Sequence, residues 1–262
     1  MNEGVPPADV IRLLSRGVFL ELVRKKDLYV VGLLMGLFLV VAWSVQLVGI
    51  ESEASATFLL NLGLSLSGYC VHLLSLFLMI RQVPSEIENR TLFPLLARPF
   101  DRQWYLVGKW LACSGPMVGL LMLLFILILV LVPGGGRYDG LLMVQMLCAQ
   151  CLSICMLNAL TLLASLCWPR SIGILVLGAL YFVSDKLIRV IGSAFSEAPL
   201  NGISTYLANL LPDFSKLNLI TRYTDGIPAL GIGEFLGVVF YGLLWIAVAL
   251  IPAGRLFRRR NL

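Results

Sequence analysis

Long apolar runs dominate this chain and leave few folds open. Stretches at about 28–50, 57–80, 106–132, 140–167 and 233–252 are nearly free of charged residues. About 20 apolar residues in helical form rise roughly 30 Å, the thickness of a bilayer's hydrocarbon core. Inside hydrocarbon every backbone N–H and C=O needs a partner, so only helices and closed barrels can cross. A barrel would show alternating segments of about ten residues, and none stand out. Composition agrees: 59% of residues are hydrophobic and only 13% charged, where a soluble domain has about a quarter charged. The expected fold is a single all-α polytopic membrane domain over residues 1–262.

A sixth span is expected at about 171–191. Its apolar part, "SIGILVLGALYFV", has only 13 residues before Asp185, Lys186 and Arg189. Thirteen residues rise about 20 Å, so this helix must carry charge near the interface or face protein or water there. With six spans and both termini on one side, that side holds 1–27, 81–105, 168–170 and 253–262. Counted with Lys109, which can snorkel back to it, these segments hold 15 of the 20 Lys and Arg residues. The positive-inside rule then puts both termini in the cytoplasm of a multi-pass protein of the cell (inner or plasma) membrane. No cleavable signal peptide is expected, because the first residues are polar and an amphipathic stretch precedes the first run. Within 8–27, Val10, Leu13, Leu14, Val18, Leu22 and Val23 recur at helical spacing, which predicts a helix lying in the interface. The segment 192–232 falls outside. It is too polar to span and too apolar for a plain loop, so two short helices broken at Pro212 are expected there.

One dense charged block interrupts the apolar pattern on the cytoplasmic side: "SEIENRTLFPLLARPFDRQWYLVGKW", residues 85–110. Ser85 and Glu88 have capping-box spacing, which predicts a helix start at Ser85. Pro94 should kink that helix, Pro99 restricts Arg98, and Asp101 can cap the helix that enters the third span. Ile87, Leu92, Phe93, Leu95 and Leu96 give the block an apolar side. Apolar knobs beside fixed charges suit a docking element for a partner. They equally suit packing on the protein's own cytoplasmic ends.

The block resembles the signature loop of ABC-2 type permeases, the membrane subunits of ATP-binding-cassette exporters. Glu86, Glu88, Thr91, Leu92, Leu95, Leu96, Ala97, Arg98, Pro99, Arg102, Leu106, Gly108 and Lys109 follow the family order and spacing. Many members carry Gly where Arg90 stands. The closing "GRLFRRRNL" and the "LLPDFSKLNL" between spans five and six also resemble family segments. The resemblance implies a cytoplasmic coupling helix at 85–98, with Glu86, Glu88, Arg90, Thr91, Leu92, Leu95 and Arg98 receiving the motion of an ATPase. The chain has no G-x-x-x-x-G-K-[ST] sequence. It is therefore expected to be no enzyme and to hold no cofactor. ATP and Mg would sit on a partner ABC ATPase subunit. Six spans are half the usual twelve, which implies a second permease copy in a homodimer or heterodimer. Membrane lipid is a further expected partner, and nucleic acid is not. Lipid or another amphipathic molecule is the default cargo, since the spans offer few fixed charges.

The polar groups within spans are Asn61, His72, Gln145, Gln150 and Asn158. Such groups bond between helices or line a pathway. Cys148, Cys151 and Cys155 share a face of span four near Met143 and Met146. Soft ligands of this kind select Cu(I), while small residues also pack well between helices. That face motivates an alternative, a permease exporting a metal or sulfur species for metalloenzyme maturation. A non-transporting membrane scaffold is another. Gly32 with Gly36, and Gly115 with Gly119, have the spacing of close helix contacts, within the chain first and in a dimer seam second.

Overall fold

A computed structural model describes residues 17, 18, 20, 27–47, 53–88, 102–132, 139–194 and 212–259. Among them the regular structure is entirely helical: α1 (Asp27–Leu47), α2 (Glu53–Glu88), α3 (Arg102–Leu131), α4 (Gly140–Cys167), α5 (Arg170–Ala194), a 3-10 turn (Phe214–Leu217), α6 (Ile220–Thr224) and α7 (Ile232–Arg259). Among the described residues, four helices are long and apolar enough to cross a membrane, through Ala56–Gln82, Tyr105–Leu131, Gly140–Cys167 and Ile232–Phe257. α5 contributes a shorter apolar helix over Arg170–Val183 among the described residues. With four such helices the protein is membrane-embedded.

α4 organises the bundle. It packs against α2, α3, α5, α7 and the 3-10 turn, while α1 packs on α2. Asp139 caps its first turn, accepting from the Leu141 N–H at 3.2 Å. The spanning part of α2 is 72% buried and that of α7 only 17%. α2 is therefore a core helix, whereas α7 turns Leu236, Phe240, Leu243, Val248 and Ile251 outward. In water such a surface would be a large exposed apolar patch; in a bilayer it meets lipid.

Helices outrun the apolar stretches. α2 continues through Pro84 to Glu88 rather than ending near residue 80, so Ser85 does not start a separate helix. Pro84 removes one hydrogen bond near the end of 36 residues already held by packing, and the chain's polar end stays helical beyond it. α3 likewise begins at Arg102 and α7 runs through Pro252 to Arg259. Lys109 is 3% exposed; it lies within the bundle and does not snorkel outward. The interface helix at 8–27 falls outside the described residues except for helical Gly17, Val18 and Leu20.

The glycines expected to pair helices within the chain show no such approach among the described residues: a Cβ on Gly32, Gly36, Gly115 or Gly119 would meet none of them within 4 Å. α3 buries Met117, Leu121 and Ile128, and Gly115 and Gly119 lie on its outer face together with the exposed Leu111, Met122 and Leu123. The close approaches fall on other glycines. The Phe38 ring of α1 lies over Gly63 of α2, where a Cβ would meet Cζ at 2.6 Å. Ile80 covers Gly173, and Leu152 covers Gly242.

Candidate ligand-binding cavity

The segment from Pro212 to Gly231 carries little helix, yet its first part, from Pro212 to Ile220, lies largely inside the bundle. Phe214, Leu217, Leu219 and Ile220 are all buried. The 3-10 turn packs on α4, α5 and α7, and α6 packs on α2. Depth follows from the helix ruler of 1.5 Å per residue. Gln150, which donates from Nε2 to Asn218 Oδ1 at 3.5 Å, stands about 15 Å from the Gly140 end of α4. Irregular backbone at such a depth persists only where protein or a polar cavity satisfies it.

Local chemistry shows how it is satisfied. Asp213 Oδ1 accepts from the Ser215 N–H at 3.0 Å and from its hydroxyl at 2.6 Å, which starts the 3-10 turn. The Asp213 N–H donates to the Tyr241 hydroxyl of α7 at 2.8 Å. Asn218 closes the turn with an N–H to Ser215 O bond, and its Oδ1 accepts from the Ile220 N–H at 3.3 Å to lead into α6. α6 ends in a Schellman arrangement: Gly226 at φ +65°, Gly226 N–H to Tyr223 O, and Ile227 N–H to Arg222 O. The exit strand is then clamped. Gln145 Nε2 donates to Leu230 O at 2.8 Å, and the Leu230 N–H donates to Gln145 Oε1 at 2.9 Å. Asp139 Oδ2 accepts from the Ala229 N–H at 3.4 Å. Side chains of the segment itself, of α4 with its capping Asp139, and of α7 thus replace secondary-structure partners along the segment.

Between this segment and α2, α4 and α5 lies a cavity of about 550 Å³. Tyr69, Gln150, Ser153, Tyr181, Phe182, Phe214, Ser215, Leu217, Asn218 and Thr221 line it, within the size range of small-molecule sites. No Asp, Glu, Lys or Arg is among these lining residues. The aromatic side is a packed set: Tyr69 meets Phe182 at 5.6 Å between centroids, and Tyr181 meets Phe214 edge-on at 5.3 Å. His72 stands behind this wall, stacked on Tyr181 at 4.6 Å and fully buried. Its Nδ1 lies 2.7 Å from the Gly68 carbonyl. A carbonyl only accepts, so Nδ1 carries a proton, and Nε2 shares a hydrogen bond of 2.9 Å with the Ser153 hydroxyl. His72 is thereby a bracket that joins Tyr181 and Ser153.

Of the five polar residues expected to bond between helices or line a pathway, Gln150 lines the cavity. His72 supports its wall and Gln145 clamps the exit strand. Asn158 is elsewhere, accepting from Ser75 Oγ at 2.7 Å and donating to Ser114 Oγ at 3.1 Å. Asn61 has a longer bond within α2, from Ser65 Oγ at 3.4 Å. Cys148 is exposed and Cys151 and Cys155 are half-buried. No group of three metal-binding side chains occurs among the described residues. Glu86 and Glu88 fall in the last turns of α2. Their side chains, and Arg90, Thr91, Leu92, Leu95 and Arg98, lie outside the described residues. Reading the sequence missed Tyr69, Ser153, Tyr181, Phe182, Ser215 and Asn218. The Tyr181-Phe182 pair in the short fifth run and the Pro-Asp-Phe break were the available signals.

No family model matches the chain, and no curated protein matches it.

Proposed function

We propose that this chain is the permease subunit of an ABC-2 type exporter, moving a lipid or other amphipathic cargo. The observation that carries this reading is the apolar bundle that holds a non-helical segment and a polar cavity deep between its helices. Non-helical backbone at that depth is tolerated where it is buried in protein or lines a cavity, and this segment lines one. The resemblance of residues 85–109 to the ABC-2 loop supplies the driving partner, an ATPase subunit docked on the cytoplasmic block.

On this reading α1, α2, α3, α4, α5 and α7 are six spans with both termini in the cytoplasm. The Gly140 end of α4 is then external, and the segment 212–231 enters from outside. ATP binding closes two ATPase copies, pushes the 85–98 segments of two permeases and switches cavity access. The outward glycines Gly115 and Gly119 leave room for a closely packed second copy.

The test is co-purification of a co-expressed ABC ATPase in detergent, repeated with Glu86→Lys and Glu88→Lys together. The expected result is association and permease-stimulated ATP hydrolysis with the native chain, and loss of both with the reversal. Unchanged association and stimulation would remove the docking role.

A further inference from the structure

The cavity contains one group whose hydrogen bonding is incomplete. Asn218 Oδ1 accepts from the Ile220 N–H, and a backbone N–H only donates, which fixes the orientation of the Asn218 amide. Gln150 must therefore present Nε2 to that oxygen, as it does. Its Oε1 is left buried with no hydrogen-bond donor, on a side chain 7% exposed. A buried unpaired acceptor costs about 1–3 kcal/mol, and native proteins keep few of them.

We propose that this cavity binds an uncharged amphipathic molecule whose O–H or N–H donates to Gln150 Oε1. Three features of the lining define the ligand class. The orphan acceptor asks for a donor. Phe182, Phe214 and Leu217 ask for an apolar face, which a water molecule would satisfy at Gln150 but not along that wall. None of the described lining residues carries a charge, so none offers an ionic head a counter-charge, and an uncompensated buried charge is strongly disfavoured. Two ions of the segment are already engaged: Asp213 Oδ1 holds its own turn, and Lys216 Nζ sits 4.8 Å over the Tyr241 ring. The hydroxyls of Ser215 and Thr221 complete a polar side suited to a hydroxylated head such as that of a monoacylglycerol. The inference rests on membrane embedding and on the cavity, not on transport.

Decanoylglycerol carrying a diazirine on its chain serves as the probe, with the purified chain alone in lipid nanodiscs, so that its outcome is separate from any ATPase interaction. Saturable photolabelling is expected on the peptides bearing Tyr69 and Tyr181–Phe182. Unlabelled decanoylglycerol should compete at least tenfold better than decanoate or decyltrimethylammonium. Gln150→Leu should weaken binding roughly threefold to tenfold, the loss of one hydrogen bond. Thr221→Trp, at an exposed lining position, should abolish saturable labelling while the melting temperature holds. Labelling that never saturates would mean that the cavity holds water only and would overturn the proposal. Equal competition by the charged analogues, or full binding in the Thr221→Trp chain, would overturn it as well.

Discussion

Asn158 is the best place to weigh what polar contacts contribute in this bundle. It is fully buried on α4 and ties two other helices to it, through Ser75 of α2 at 2.7 Å and Ser114 of α3 at 3.1 Å. Asn158→Leu keeps the size near native and deletes both bonds. Interhelical hydrogen bonds in membranes average about 0.6 kcal/mol and reach about 1.7, so two give a loss of roughly 1–3 kcal/mol. The serine hydroxyls can fall back on carbonyls of their own helices, which holds the cost below that of two orphaned groups. Steric-trap unfolding in bicelles reads the difference directly. Ser75→Ala in a double-mutant cycle with Asn158→Leu isolates one bond, with an expected coupling of about 0.6–1.7 kcal/mol. An Asn158→Leu chain as stable as the native one, or a coupling of zero, would refute the assignment of this node as a stabilising tie.

Two other perturbations follow from the packing. Gly173→Val should destabilise the chain by about 1–3 kcal/mol, because a Cβ there meets Ile80 Cδ1 at 2.7 Å; Gly119→Ala, with nothing within 4 Å, should be neutral or stabilising in the single chain by up to about 1 kcal/mol, and melting curves separate the two. Gln145→Leu removes both bonds to Leu230 and should speed hydrogen exchange at the Leu230 amide by at least tenfold; unchanged exchange would show that the clamp is not what protects it.

The spans were legible because hydrocarbon thickness imposes a length that twenty apolar residues satisfy and few other folds require. Helix ends were not, because the polar residues of α2 from 81 to 88 and of α7 from 254 to 259 extend helices already nucleated in apolar surroundings. Pro84, Pro116 and Pro252 all lie within helices. The rule that proline ends a helix loses force where packing has fixed the backbone on both sides. Gln150 and His72 were visible as polar residues in apolar runs. Their partners were hidden: Ser153 is an ordinary small residue, and Asn218 meets Gln150 across 68 positions of sequence. The face on which a glycine lies was equally hidden, since Gly119 and Gly242 look alike in sequence, and only the second has a side chain lying on it.

The cavity exists only if the segment 212–231 lies deep between the helices rather than on their outer rim. In a chain with its six native cysteines replaced by serine, Asn218→Cys paired with Gln150→Cys tests this in nanodiscs. The shortest bifunctional thiosulfonate should join that pair rapidly, because the native side chains lie within hydrogen-bonding reach of each other. Asn218→Cys paired with Leu141→Cys, in the first turn of α4, should not join. Cross-linking to position 141 in place of 150 would put the segment at the bundle's edge and contradict the account.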